Sequence, residues 1–389
     1  MLLPACPLCG TLEWRALENI RDDRSVRTDG GVIASPLSKF HCSGCGLAIR
    51  AAQDQGPSTL YGEDYQLYSN RPGADQFDAV RYANITGALH AAWGLGDPPR
   101  RVLEAGCGDG SLLQAVQLRW PEAAVVGLEP SHTAVEFARS SGRAVFQGMI
   151  GQATPEPVSQ GGFDLIYAVH VIEHTPDPSA FLSALAPLLA PGGRIIITCP
   201  DGAVPHAELV HSDHLFSMTP GHLASFARRG GQEVLMQGDC PAGIHAEFSQ
   251  LMVCAPAGAA DRSAMRMDRP FAEALYRDRQ AYLGLWKGLE AYLMESVRRD
   301  EPLYCFGAGG WTGNIAGYCP NLWAQVAGCV VDGGEGAQVH GKRVGDYGEV
   351  KGEPRQFIAV VNPALQARIA ERLKRDDHRV VAWPSLLTA

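Results

Sequence analysis

Two kinds of hydrophobic periodicity alternate along most of this chain. Short apolar runs, RVLEA (101–105), AVVGLE (124–129), FDLIYAV (163–169) and GRIIITC (193–199), have the length of buried strands. Mixed polar and apolar stretches of helical spacing separate them, with helices starting at turn signals such as Ser111 and Ser131. This alternation predicts βαβ units around a parallel sheet. A second alternating region begins at 302, with PLYCFGAGG, QVAGCVVDGG (325–334), RQFIAVVN (355–362), a helix over 363–375 and RVVAWP (379–384). Between the two, 255–260 reads as a linker. A helix then runs from about 271 to 299, with Phe271, Leu275, Tyr282, Leu285, Leu289 and Leu293 as its packing face. Ahead of the first region, an aromatic stretch at 61–68 precedes a helical pattern that ends near residue 93.

At 389 residues, the chain has room for two or three domains and for cores that need no disulfide support. Charged residues are 19%, and 44 glycines exceed the usual share, so turns or close approaches of backbone to ligand have to account for the surplus. The net charge of −9 and the lack of any Lys/Arg run argue against a nucleic-acid groove binder. No apolar run approaches the ~20 residues of a membrane span. The opening MLLPACPLCG lacks the charged and apolar regions of a signal peptide, so a cytoplasmic protein is expected.

Eleven cysteines, an odd number, argue for reduced thiols. Cys6-Pro-Leu-Cys9-Gly10 and Cys42-Ser-Gly-Cys45-Gly46 are two knuckles in which a tight turn aims both sulfurs at one ion. Four thiolates with no open position make a structural zinc site. The 32 residues between the pairs predict a small hairpin, and His41 is expected to be an outer-sphere or surface residue and not a ligand. The other seven cysteines are expected to be core or loop thiols.

The segment Glu104-Ala-Gly106-Cys-Gly108-Asp-Gly110 follows a strand and opens a helix. Its glycines let the backbone approach a ligand at the carboxyl edge of the sheet. Glu129, 23 residues after Gly106 at the next strand end, is placed to accept ribose hydroxyls. The spacing is GxGxG, not GxGxxG. This acidic form resembles the loop of the Rossmann-like S-adenosylmethionine-dependent methyltransferases, in which the neighbouring carboxylate suits the cofactor's cationic amino-acid end. LLAPGGRIIITCP (188–200) and FDLIYAVHVIEH (163–174) are similar to later strands of that class. A nicotinamide oxidoreductase using the 306–314 turn with Asp332 on the ribose is the rival. A zinc-ribbon RNA-binding protein is the non-enzymatic one. His170-Val-Ile-Glu173-His174 spells a zinc-protease signature, but Thr175-Pro-Asp-Pro178 stops the continuing helix that this chemistry requires.

With these pieces in order, the whole chain resembles the sugar C-methyltransferases that act on nucleotide-linked deoxy-keto sugars. The resemblance implies an α/β protein with an N-terminal zinc-binding module (1–60), a Rossmann-like class I methyltransferase domain with a helical lead-in (61–255), and a connector with a second, C-terminal Rossmann-like domain (256–389). It implies S-adenosylmethionine and structural Zn²⁺ as cofactors, with Cys6, Cys9, Cys42 and Cys45 as metal ligands. Glu104, Gly106, Gly108, Gly110, Glu129, Pro130 and His170 would contact the cofactor. The acceptor would be a small sugar or nucleotide sugar, with no nucleic acid and no membrane as partner.

The family's chemistry removes a proton next to a ketone and stabilises the enolate oxygen. The resemblance puts that work on His174, on His211, Asp213 and His214, and on Tyr68 or, one register away, Tyr65. His245 and Glu247 are further candidates for the same cleft. The chain departs from the family at His211, where a Tyr is usual, at Asp213, where a Glu is, and at Trp311, where a Lys is. Met149 stands where the wider class often has an Asp. These departures leave open whether carbon, oxygen or nitrogen is methylated.

Overall fold

The computed structural model describes residues 3–51, 74–94, 96–151, 154–240, 248–257, 260–334 and 336–384, with residues 74–78 and 364 described by their backbone alone. Tyr65, Tyr68, His245 and Glu247 lie outside the described residues. In the N-terminal part, β1 (Trp14–Ala16) leads into the hairpin β2 (Ser25–Val26) and β3 (Val32–Ile33), followed by β4 (Lys39–Cys42) and β5 (Ala48–Arg50). The β2–β3 pair is the hairpin expected between the two cysteine knuckles.

α1 (Ala74–Trp93) precedes the central sheet. β6 (Arg101–Ala105), α2 (Ser111–Arg119), β7 (Ala124–Glu129), α3 (His132–Ser140), β8 (Val145–Gln147) and β9 (Phe163–Val169) follow in alternation. A 3₁₀ turn (Ile172–His174), α4 (Pro178–Leu185), β10 (Leu189–Pro200) and a second 3₁₀ turn (Ala207–Val210) come next. β11 (Phe216–Ser217), α5 (Pro220–Arg229), β12 (Gln232–Asp239) and β13 (Ser249–Pro256) complete the region. The seven strands are ordered β12-β13-β10-β9-β6-β7-β8, and β13 alone runs against the rest. Ile195, Ile196 and Ile197 are fully enclosed, as a strand covered on both faces requires. Each such side chain contributes about 2–3 kcal/mol of apolar burial. Asp177 caps α4 by accepting from Ser179 N and Ala180 N, so Glu173 and His174 sit on a single 3₁₀ turn and on no longer helix.

The C-terminal part opens with α6 (Arg269–Ser296), then β14 (Leu303–Phe306), α7 (Gly310–Tyr318), α8 (Pro320–Gln325) and β15 (Val326–Val331). β16 (Gln338–Val339), β17 (Lys342–Asp346), α9 (Tyr347–Val350), β18 (Gln356–Ala359), α10 (Pro363–Arg375) and β19 (Arg379–Val381) build its six-stranded sheet, ordered β16-β17-β15-β14-β18-β19. Among the described residues no helix is long and apolar enough to cross a membrane.

One expectation is corrected. Phe271 is 41% exposed, and the enclosed face of α6 is Ala272, Leu275, Arg279, Leu283, Trp286, Leu289 and Leu293. Tyr282 and Leu285 lie on its flank, half-buried. The apolar spacing had located the stripe but not its centre, which is occupied by an arginine. The sheet of the N-terminal cysteine-bearing part also takes β11, from residue 216 onward, as its outer strand beside β5. One apolar core joins Leu17, Val26 and Leu37 to Leu209 and Val210, to Leu283 and Trp286 of α6, and to Ile315 and Tyr318 of α7. Residues 3–51 therefore share both a sheet and a core with the later regions.

Candidate active site

The site begins where β6 and β9 end. In the order β9-β6-β7, successive crossovers leave β6 in opposite directions, which opens a crevice at the strands' carboxyl ends. Gly106, Gly108 and Gly110 all have left-handed φ, of 76°, 54° and 73°, a conformation that non-glycine residues adopt at a cost of about 1–2 kcal/mol. Gly106 and Gly108 line a cavity of about 380 Å³ together with Leu128, Glu129, Pro130, Met149, His170 and His174. Gly110 faces the Arg143 side chain instead and forms the left-handed cap of α2.

Glu129 is buried and accepts from Gly108 N and Ser131 N, both at 2.9 Å. Burial pushes its carboxyl up to about 7 despite those two donors. Glu104 lies beneath the loop, outside the cavity lining, and accepts from the Tyr167 hydroxyl at 2.9 Å. Burial holds its carboxyl well above the usual range. His170 takes a left-handed φ of 54°, a strained backbone at the strand end, and its Nδ1 is 3.3 Å from Glu173 Oε1. The apolar wall of Ile150, Val171 and Phe181 carried no motif that would have marked it in the sequence.

Beyond the cavity mouth, residues from all parts of the chain converge. His174 Nδ1 is 2.9 Å from the Asp213 backbone carbonyl, which can only accept, so this ring nitrogen carries the hydrogen. The Asp213 carboxylate is 3.9 Å from the same nitrogen. His214 faces His174 edge-on with ring centroids 4.8 Å apart, and its Nδ1 is 3.6 Å from Glu208 Oε2. The His211 ring is 5.5 Å from that of His214, and its Nε2 meets Asn314 Nδ2 of α7 at 3.4 Å. The expected residues His174, His211, Asp213 and His214 are thus brought together.

Electrostatics bind this group tightly. Burial opposes ionisation of Asp213, yet His174, His214, His211 and the Thr28 hydroxyl hold its carboxyl down at about 2. Glu208, also against the cost of burial, is held well below the usual range by His214, Lys39 and His206. Burial lowers His211 to about 3 and lowers His214 against the pull of Glu208. Lys39, enclosed on β4, donates to the Glu208 carbonyl at 3.2 Å, and burial brings its ammonium down to about 8. Glu208 and Lys39 had no motif to announce them in the sequence. Arg279 of α6 donates to the carbonyls of Gly46 and Gly202 at 2.7 and 2.9 Å, to Ser217 Oγ at 3.2 Å, and contacts His41 Nδ1 at 3.0 Å.

Among the described residues, two groups have the chemistry to hold a metal. The Sγ atoms of Cys6, Cys9, Cys42 and Cys45 are buried, with Cys6–Cys45, Cys9–Cys42 and Cys42–Cys45 separations of 3.6, 3.5 and 3.6 Å. A tetrahedron with ~2.3 Å Zn–S bonds has edges of about 3.8 Å, so the four sulfurs fit one zinc ion after a small expansion. The knuckles close through Gly10 N to Cys6 O and Gly46 N to Cys42 O, each 2.9 Å. His41 is fully buried and engaged by Arg279, and is not part of the four-sulfur cluster. Glu173, His174 and His214 also offer ligand atoms within 4.8 Å of one another.

The family model described as "Methyltransferase domain" matches residues 77–237. The middle of the chain carries a class I methyltransferase domain. Over 105 residues it is 36% identical to a trans-aconitate 2-methyltransferase of Methylobacterium nodulans, covering 26% of this chain and 39% of that protein. Over 152 residues it is 29% identical to a ubiquinone biosynthesis O-methyltransferase of Thiobacillus denitrificans, covering 34% of this chain and 65% of that protein. The chain thus spans less than two thirds of the length of these relatives. A plantazolicin methyltransferase solved with SAH superposes with a TM-score of 0.38 at 14% identity, covering 47% of this chain and 88% of that one. The cavity lined by Gly106, Gly108 and Glu129 lies within the residues that the family model matches.

Proposed function

We propose that the chain methylates a small sugar or nucleotide-sugar-like acceptor from S-adenosylmethionine, at a carbon next to a ketone, with His174 and His214 as an acid–base pair. The observation that carries this reading is the pair of histidine–carboxylate couples, His174 with Asp213 and His214 with Glu208, facing each other across 4.8 Å beside the cofactor cavity. Both Nδ1 atoms face acceptors, so in the neutral tautomer each Nε2 carries a lone pair. Glu173 is fully buried, 3.3 Å from His170 Nδ1 and within 4.8 Å of a nitrogen from each of the two rings, and a carboxylate so placed favours a proton on the imidazoles around it. One proton shared by the two imidazoles satisfies that preference. The neutral ring then removes the proton beside the ketone, and the protonated ring donates to the enolate oxygen. Held in the cavity, S-adenosylmethionine would supply a sulfonium methyl for such a carbon nucleophile. Gly108 and Glu129 orient its ribose, and the Ile150, Val171 and Phe181 wall excludes water.

The four thiolates are read as a structural zinc site, on the sulfur spacing given above. The three regions would divide the work, with cofactor in the middle domain and the zinc module and C-terminal region enclosing the acceptor. Mass spectrometry of products from keto-, hydroxy- and amino-sugar nucleotides tests the reading. A mass gain of one methyl on a keto sugar is expected, with solvent deuterium at the neighbouring carbon. His174→Ala and His214→Ala should each lose at least 100-fold in kcat with cofactor affinity retained. Near-wild-type turnover of both variants would overturn the assignment.

A second reading rests on the same three residues. A divalent cation on Glu173, His174 and His214 would replace the shared proton and chelate an acceptor with two adjacent oxygens, directing the methyl to oxygen. Metal analysis separates the two. One equivalent per chain supports the acid–base reading, and two support the cation.

A further inference from the structure

The loop that carries the histidines is held in place from far away in the chain. Ser212 N donates to Val26 O at 2.8 Å and Ser212 Oγ to the same carbonyl at 3.2 Å, while Val26 pairs with His211 as an isolated bridge. Two residues further on, Thr28 N donates to Asp213 Oδ1 at 2.9 Å and Thr28 Oγ1 to Asp213 Oδ2 at 2.5 Å. The β2–β3 hairpin of the zinc module therefore extends as a short ladder along 211–213 and ends with two donors on one carboxylate. The turn beyond it is closed by its own hydrogen bonds. Arg27 N donates to Gly31 O, Gly30 N donates to Arg27 O, and Arg27 Nη2 pairs with Asp29 at 2.8 Å. On its other side the hairpin lies against α7. A Cβ on Gly313 would overlap the Gly30 carbonyl, and one on Gly317 would overlap the Val26 side chain. Tyr318 of α7 accepts from Val26 N at 3.2 Å and donates to Val210 O at 2.5 Å.

We propose that Thr28 is a positioning residue for the reaction, acting through Asp213 on His174. This rests on the acid–base reading above. A carboxylate beside an imidazole stabilises the imidazolium only if it keeps its place, and Asp213 approaches His174 at 3.9 Å without a direct bond between carboxylate and ring. The two Thr28 donors fix both oxygens and so set that approach.

Steady-state kinetics of Thr28→Val, Thr28→Ser and Asp213→Asn, with the acceptor identified by the panel above, test this. Val keeps the backbone donor and removes the hydroxyl. A hydrogen bond to a charged group of this kind predicts about a tenfold fall in kcat, with KM for cofactor and acceptor within about twofold of wild type. Ser restores the hydroxyl and should restore kcat to within about twofold. Adding Thr28→Val to Asp213→Asn should slow the enzyme no further. Wild-type kcat in Thr28→Val beside a slow Asp213→Asn overturns the proposal alone, as does failure of Ser to rescue. Fast turnover in Asp213→Asn overturns the acid–base reading and this proposal with it. A crystal structure of Thr28→Val reads the position without any acceptor. An Asp213 carboxylate that has left its single place is expected, and one that stays overturns the proposal. Should Thr28→Val fail to fold, the Ser variant and Thr28→Ala carry the same comparison, with metal content and thermal unfolding as controls.

Discussion

Two glycine-rich turns in this chain follow the same pattern of strand, turn and helix, and the structure uses them in opposite ways. After β6, Gly106 and Gly108 face an open cavity, and the acid at the next strand end, Glu129, is buried against the loop's own N–H groups. After β14, Gly307 lets the backbone pass close to Val360 O, and Gly313 and Gly317 are packed against the β2–β3 hairpin. The acid at the next strand end, Asp332, points to the surface and is held bidentately by Arg372 at 2.7 Å through each oxygen. A small residue in such a turn makes room. Whether a ligand or another piece of protein fills that room depends on segments elsewhere in the chain. The rival use of the second turn as a dinucleotide site would need both the hairpin and Arg372 to move.

Removal of the zinc proposed for the four thiolates should break the comparison most severely. Structural zinc sites contribute on the order of 10 kcal/mol to folding their segment. Chelation is therefore expected to expose residues 3–51 and the face of α7 to hydrogen exchange and to abolish turnover. The 106–110 loop should stay protected, with cofactor affinity largely retained by calorimetry. Unchanged protection of the hairpin in metal-free protein would sink the zinc assignment.

Single substitutions at the two turns should fall mainly on different properties. Gly313→Ala drives a Cβ into backbone that cannot yield, so a stability loss of about 3 kcal/mol is expected, with little change in cofactor affinity. Gly106→Ala places a Cβ 2.5 Å from Val171 Cγ2 at a left-handed φ. It should cost about 1–2 kcal/mol in denaturant melts but weaken cofactor binding at least tenfold. Equal effects on affinity from both variants would mean that the second turn also holds a ligand.

This contrast also marks where the sequence was readable. Strands at Arg101–Ala105, Ala124–Glu129 and Phe163–Val169, and the helix Pro363–Arg375, begin and end where their periodicity places them, because short-range pattern and turn chemistry decide those limits. The cysteine knuckles and the Glu129 strand end were legible for the same reason. Thr28, Lys39, Glu208 and Arg279 were not. Each is an ordinary residue locally, and its role comes from a neighbour many positions away, 185 residues in the case of Thr28 and Asp213. Arg279 sits at the centre of an apolar helix stripe, so periodicity located the buried face but could not foresee the four partners that receive its charge. β11 escaped notice because a two-residue strand has no period to read.

The Glu129 carboxyl offers a finer probe of the first turn. Its folded-state value of about 7 lies above the ordinary 4.5, so the unliganded protein retains a proton that the unfolded chain releases. Stability should fall on the order of 3 kcal/mol from this group as pH rises from about 4.5 to 7. Ribose hydroxyls donate to the ionised form, so cofactor binding below pH 7 should expel this proton. Affinity should then weaken by up to about tenfold per pH unit below 7. Glu129→Gln should flatten both dependences, by thermal melts and by calorimetry in buffers of different ionisation enthalpy. A pH-independent affinity in wild type would remove Glu129 from the ribose contact.

The smallest effect is expected at the second strand end. Asp332 and Arg372 are both substantially exposed, at 62% and 35% of their side chains, and exposed pairs contribute about 0–1 kcal/mol even with two good hydrogen bonds. Arg372 also covers the rings of Tyr347 and Phe306, 4.5 and 5.6 Å from their centroids, so Arg372→Ala removes packing as well as charge. A loss of about 1 kcal/mol in urea melts, insensitive to cofactor, would place the pair among surface supports of the C-terminal sheet. Nicotinamide dinucleotide binding that appears in Arg372→Ala but not in wild type would instead mean that the arginine guards a latent nucleotide edge, and the two turns would then differ only in what blocks them.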